Sequence, residues 1–233
     1  MQNYSENCAS NSMAKLQKRM IHYKAAIFDM DGVIVDNHIY HVQAWAEFCK
    51  QHNIPFDENS FRTKYFGKTN HSIFPELISS RLTNQEIDEL AEVKELIYRN
   101  IYVDFIKPVK GLIEFISGLK EKGVKTAVAT SAPKSNLNFV LDKLNIRHLF
   151  DIVVDASMVT EGKPNPEIYL KAAALLNITP KDCVVFEDSI SGIQSAHNAG
   201  MEVIALITTH QPHELPKTKL QVYDFTEIPD ILV

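Results

Sequence analysis

The chain is short of cysteine, of net positive charge and of long apolar runs, and each shortage narrows what it can be. Its three cysteines, Cys8, Cys49 and Cys183, are odd in number and show no metal-ligand spacing. A reduced, cytoplasmic compartment is therefore the default. Cys183 lies in Cys183-Val184-Val185-Phe186 and reads as a small core residue. No apolar stretch approaches the ~18 residues that a membrane-spanning helix needs. Lysine and arginine number 24 against 29 aspartates and glutamates, a net charge of −5. That balance argues against a general nucleic-acid binder or a protein that binds acidic membrane surfaces. There is no internal repeat and no low-complexity linker. Residues 1–22 are polar, lack the apolar core of a signal peptide and read as an extension, partly helical around Met13 to Met20. A monomer is the default assembly.

What is present is a soluble globular composition, 45% hydrophobic and 23% charged over 233 residues, enough for one core plus an insertion. The most informative stretch is Phe28-Asp29-Met30-Asp31-Gly32-Val33, which follows Lys24-Ala25-Ala26-Ile27. A short apolar run stopped by turn chemistry reads as a buried parallel strand. Two carboxylates with one residue between them are costly to hold together, because like charges at close range raise a pKa or require a cation.

From residue 108 onward, strand and helix alternate. Val109 to Leu119 keeps helical spacing and Gly123 caps it; Val124–Ala129 is a strand; Pro133–Leu144 is a helix; Asp151–Asp155 holds a short strand. Pro164–Leu176 is a helix, Cys183–Phe186 a strand, Ser189–Ala199 a helix before Gly200, Val203–Leu206 a strand, with a last short strand near Leu220–Tyr223. This order predicts an α/β fold, a doubly wound, Rossmann-like parallel sheet covered on both faces. Residues 34–107 break the pattern, since connections in such units are ~2–6 residues long. They read as helical over Tyr40–Gln51, Ser72–Leu77 and Gln85–Phe105. The expected organisation is a core of 23–33 and 108–233 with a helical cap of 34–107, hinged near Val35-Asp36 and Lys107-Pro108.

Ligands of an open parallel sheet collect beyond the carboxyl ends of its strands. Successive strands end there in Asp29 and Asp31, in Thr130-Ser131, through a loop in Gly162-Lys163-Pro164, and in Glu187-Asp188. A polar turn explains any one of these alone; four in this order point to one site. The expected chemistry is a divalent cation, Mg²⁺ for hard oxygen donors, between Asp29 and Asp188 with Glu187 direct or through water. A phosphate lies against it, held by the Thr130 hydroxyl, main-chain amides and Lys163. Asp29 attacks phosphorus; Asp31 protonates the leaving oxygen and then activates water or an acceptor hydroxyl.

These motifs resemble the four motifs of the haloacid dehalogenase superfamily over residues 24 to about 210. The superfamily's dehalogenases lack the second acid, so Asp31 implies phosphoryl transfer, and the resemblance adds its backbone carbonyl to the metal ligands. Asp36 to Trp45 is similar to the hinge and first cap helix of the β-phosphoglucomutase-like branch. That likeness implies substrate-side roles for His41, Trp45, the loop Phe66-Gly67-Lys68-Thr69, Lys94, Ser131 and Ala132. Two departures weigh against mutase activity. Asn70 stands where the mutase has an arginine that grips the non-transferring phosphate, and Ala132-Pro133 replaces part of a serine–asparagine loop. Phosphatase action on a small phosphorylated metabolite, such as a sugar phosphate, is therefore favoured over the mutase. A phosphoaspartate receiver is disfavoured by residues 34–107, and an EF-hand by the position of Gly32. His210 and His213 read as exposed loop residues. Glu86, Asp88, Glu89, Glu92 and Glu95 read as a solvated helix face around Lys94. Trp45, Phe48 and Tyr98 read as cap packing.

Overall fold

The computed structural model describes residues 23–65 and 67–229. The expectations for residues 1–22, Cys8 included, and for Phe66 lie outside the described residues.

Strands β1 (Ala25–Phe28), β2 (Lys125–Ala129), β3 (Ile152–Val154), β4 (Cys183–Glu187), β5 (Glu202–Leu206) and β6 (Leu220–Val222) form one sheet in the order β3-β2-β1-β4-β5-β6. Every pairing is parallel. The order reverses direction at β1 and β4, which opens a crevice beyond their carboxyl ends. Alternation along the strands sorts side chains onto two faces. Ala26, Phe28, Val184 and Phe186 face a cluster completed by Leu112 and Ile116 of α5 (Leu112–Glu121) and Leu137 and Val140 of α6 (Lys134–Lys143). Ala25, Ile27, Cys183 and Val185 face Ile168 and Tyr169 of α7 (Glu167–Leu176) and Ile193 of α8 (Ile190–Asn198). All four β1 residues are buried, as both-face coverage requires. The rings of Phe28 and Phe186 stack with centroids 4.6 Å apart, a pairing that adds about 0.5–1.5 kcal/mol beyond area burial.

Several helices start later than the sequence spacing suggests. Val109 donates its N–H back to Ile34 C=O at 2.9 Å, and Gly111 turns at φ +78°, so α5 begins at Leu112. Pro164 likewise precedes α7, which starts at Glu167.

Between β1 and α5 stand α1 (His38–Gln51), α2 (Glu58–Tyr65), α3 (Asn70–Leu77) and α4 (Asn84–Tyr102). Of these, α2 was not expected from the sequence. Trp45, Phe48, Phe61, Phe74 and Ile87 close a separate apolar cluster among the four. A capping box starts α4: Thr83 accepts from the Glu86 N–H while Glu86 accepts from the Thr83 N–H. The chain leaves and rejoins the sheet at one place, where Val35 bridges both Asp31 and Pro108. No helix among the described residues is long and apolar enough to cross a membrane.

Two expectations about exposure fail. His210 is buried, at 4% exposure, between Arg62 of α2 and Glu214, whereas His213 is exposed as expected. Glu95 is buried, at 3% exposure, and belongs to no solvated face.

Candidate active site

Strand register assembles the site. Phe28 lies level with Val128 and Phe186, so the next residue, Asp29, emerges beside the ends of β2 and β4. Its N–H donates to Phe186 C=O at 3.0 Å. Lys163, behind it, donates to Asp29 Oδ1 at 2.8 Å and to Glu187 Oε1 at 2.7 Å, with all three groups buried. Tyr169 donates to the same Glu187 oxygen at 3.0 Å. Glu187 Oε2 accepts from the Asp188 and Ser189 N–H groups, both at 2.7 Å, and from the Ser189 hydroxyl. Protein donors thus already occupy both Glu187 oxygens. Asp188 Oδ2 accepts from the Thr209 hydroxyl.

One oxygen each from Asp29, Glu187 and Asp188 lies within 4.8 Å of the others. Burial pushes Asp29 above the usual carboxylate range, with Glu187 and Asp31 adding to the rise and Lys163 opposing it. Burial, then Glu187 and Asp29, also push Asp188 up. On Glu187, burial is outweighed by Lys163 and the Ser189 donors, so it stays low. For Lys163, Asp29 and Glu187 outweigh burial and hold it protonated. Three buried carboxylates share one ammonium, and Asp29 Oδ2 and Asp188 Oδ1 have no protein donor among the described residues. An all-oxygen donor set with surplus negative charge fits a hard divalent cation.

Asp31 sits in a different setting. Its Oδ1 accepts from Asn37 Nδ2 at 2.6 Å, and His41 Nε2 lies 3.5 Å away. Burial would raise Asp31, but His41, Asn37 and Lys94 outweigh it and the carboxyl is held low. His41 stacks on Tyr98, with centroids 3.9 Å apart, and its Nδ1 lies 3.2 Å from Lys94 Nζ. Gly32 turns at φ +78°, and a Cβ there would stand 1.9 Å from Asp188 Oδ2, so only glycine fits.

A cavity of about 700 Å³, counting the space open at its mouth, joins these groups. Of the residues expected from the sequence, Asp29, Asp31, Thr130, Ser131, Ala132 and Asp188 line it from the sheet side. His41, Trp45, Gly67, Lys68 and Lys94 line it from the helical side. Lys163 and Glu187 lie behind Asp29. Thr69 pairs with Ser72 at 3.0 Å and does not line the cavity. Thr130 Oγ1 accepts from the Ala132 N–H at 3.0 Å, leaving its proton for another acceptor. The Ser131 hydroxyl donates to Gly67 C=O at 3.0 Å, which fastens the loop to the sheet rim. A Cβ on Gly67 would fall 2.4 Å from Ser189 Oγ. Lys94 lies 4.9 Å over the Trp45 ring. The sequence reading missed Asn37, Glu95, Asn136 and the pair Thr208-Thr209. The last was findable, because it follows β5 on the same rim as the other strand ends.

The sheet topology, the carboxylate–lysine cluster and the second acid define a phosphoryl-transfer enzyme, a phosphatase or phosphomutase. The sequence model of the haloacid dehalogenase-like hydrolases matches residues 23–200, and the chain belongs to that family. A phosphorylated carbohydrates phosphatase of Thermotoga maritima is 32% identical, over 78% of this chain and 83% of its own. A β-phosphoglucomutase of Bacillus subtilis is 33% identical over the same shares. Among solved structures, a family IA, variant 3 hydrolase from Entamoeba histolytica superposes with a TM-score of 0.81 at 29% identity. It covers 90% of this chain and 97% of the other.

Proposed function

We propose that the protein is a Mg²⁺-dependent phosphohydrolase that acts on a small phosphorylated metabolite, a sugar phosphate in chemistry, through an aspartyl phosphate. The observation that carries the reading is the contrast between the two acids on one cavity. Asp29 is locked to Lys163, while Asp31 is held apart by Asn37 and His41. Mg²⁺ would be held by Asp29, Asp188 and the Asp31 carbonyl, and would supply charge neutralisation for the phosphate oxygens. Asp29 attacks phosphorus and the bond to the leaving oxygen breaks, with Asp31 giving that oxygen its proton. The arriving phosphate dianion raises Asp31 into its acid form, since like charges at short range favour protonation. In the second half Asp31 takes a proton from water, water attacks phosphorus, and Asp29 is released with inorganic phosphate. Thr130 and Lys163 steady the transferring group. Residues 34–107 act as a cap that brings His41, Lys68 and Lys94 over the substrate.

The second reading, phosphoryl transfer between sugar hydroxyls, draws on the mutase relative. Against it, Asn70 donates to Glu95 at 2.9 Å and offers no cation for a second phosphate. The test supplies β-glucose 1-phosphate with a catalytic amount of the 1,6-bisphosphate. Free phosphate is expected to exceed glucose 6-phosphate; fast isomerisation with little phosphate released would establish the mutase.

A further inference from the structure

Beyond Asp31 a chain of contacts runs through His41 and Lys94 to Glu95, and ends in a polar wall of the cavity. Glu95 there accepts from Lys94 Nζ at 2.9 Å, Asn70 Nδ2 at 2.9 Å and Asn136 Nδ2 at 2.7 Å. Each of those asparagine bonds uses one of the two N–H donors of its amide. Asn136 Oδ1 is taken in turn by Arg99 at 2.9 Å. Arg99 itself is directed to Glu92, Ser135 and Asn136. The Lys94 ammonium is cancelled by the adjacent carboxylate, with both side chains almost fully buried. Lys68, the other lysine lining the cavity, follows Gly67, which Ser131 fastens to the reactive rim. Its ammonium lies 5.9 Å over the Tyr65 ring and, among the described residues, makes no hydrogen bond or ion pair with Glu95, Asn70 or Asn136.

We infer that Glu95 is a specificity-determining residue that makes this wall electrically neutral, so the site takes monophosphate esters of neutral polyols and discriminates against bisphosphates. The inference rests on the phosphohydrolase reading and names its substrate class. A second phosphate placed at this wall would lose its water, meet a buried carboxylate and find the Lys94 charge already cancelled. A sugar hydroxyl meets no such penalty, and Asn70 Oδ1 remains to accept from it.

The test measures binding of matched pairs, such as glucose 6-phosphate and glucose 1,6-bisphosphate among a panel of hexose and pentose phosphates. Calorimetry with Mg²⁺ in an Asp29→Asn background removes turnover. With Glu95 present, each monophosphate is expected to bind at least as tightly as its bisphosphate. Glu95→Gln frees the Lys94 charge and is expected to tighten bisphosphates on the order of tenfold, the scale of one charge-assisted bond. Monophosphates should move less than about twofold on the same scale. Asn70→Lys adds a charge at the wall while keeping the Glu95 carboxylate, at the loss of one of its donors, and should shift selectivity the same way, which guards against a misfolded Glu95 variant. Tighter bisphosphate binding with Glu95 present, an unmoved ratio in both variants, or no binding across the panel each overturns the inference. Phosphate release by the unmodified enzyme is scored separately. An unmoved ratio with brisk release overturns the wall alone, while a moved ratio with no release overturns the hydrolase reading alone.

Discussion

Lys163 holds Asp29 at 2.8 Å from behind, so the carboxylate is fixed on one oxygen and open on the other. The same ammonium binds Glu187 at 2.7 Å, and this makes the cation a spacer between two acids. Pre-set orientation of this kind lowers the entropic cost of in-line attack.

Asp29→Asn keeps the shape and removes the attacking charge. Turnover of any phosphate ester is expected to fall at least about a thousandfold, the scale on which a lost nucleophile acts. Circular dichroism and thermal midpoint should stay close to the parent. A purified variant with more than a few per cent of parental kcat would refute the aspartyl-phosphate route.

Chelation should abolish activity and added Mg²⁺ should restore it, because the cluster of Asp29, Glu187 and Asp188 otherwise faces a phosphate dianion with one lysine for balance. Ca²⁺ should inhibit, since its larger and looser shell misplaces the nucleophile. Steady-state rates in excess chelator, and with each metal in turn, decide the matter.

Gly192 lies inside α8, where glycine normally costs ~1 kcal/mol relative to alanine. Here a Cβ would fall 1.5 Å from Glu187 Oε1. Gly192→Ala is therefore expected to lower stability by roughly 1–3 kcal/mol, the range for overpacking, and to disturb the Lys163 spacer. A urea midpoint above that of the parent would contradict the close approach.

Arg62 of α2 grips Glu214 with two bonds of 3.0 Å. Arg62, and then the Gln211 N–H, bring the Glu214 carboxyl down to about 2. A folded-state value below the ordinary ~4.3 gives stability that is present above ~4.3 and lost as pH falls toward the lower value. Glu214→Gln should accordingly be less stable than the parent from pH 5 to 8, with the gap closing below ~4.3. Paired urea titrations across that range are the check; a gap that stays constant into acid would show that the charge is irrelevant.

The sheet and its four strand-end motifs were legible because each is local. An apolar run, a turn and a polar pair lie within a few residues, and parallel register aligns them without further instruction. Glu95 and His210 were misread because their partners are remote. Asn136 lies 41 positions from Glu95, and Arg62 lies 148 positions from His210. A charged residue surrounded by charges looks solvated until such a partner is known. Helix α2 escaped because Glu58-Asn59-Ser60-Phe61-Arg62-Thr63-Lys64-Tyr65 offers few apolar residues, with Phe61 and Tyr65 one turn apart. The loop around Lys68 resembled a known specificity loop, yet its fastening through Ser131 depends on an oxygen of the main chain, which no residue type announces.

The stitch of Val35 to Pro108 sets the two ends of the helical segment side by side. Contacts such as Arg62 with Glu214, Glu95 with Asn136 and Gly67 with Ser131 then set how the segment rests on the sheet rim. Under the function proposed above, substrate choice is rewritten within that segment while Asp29, Lys163 and Asp188 keep their places. Recombining such segments between relatives would give a way to assign substrates to bodies of unchanged chemistry.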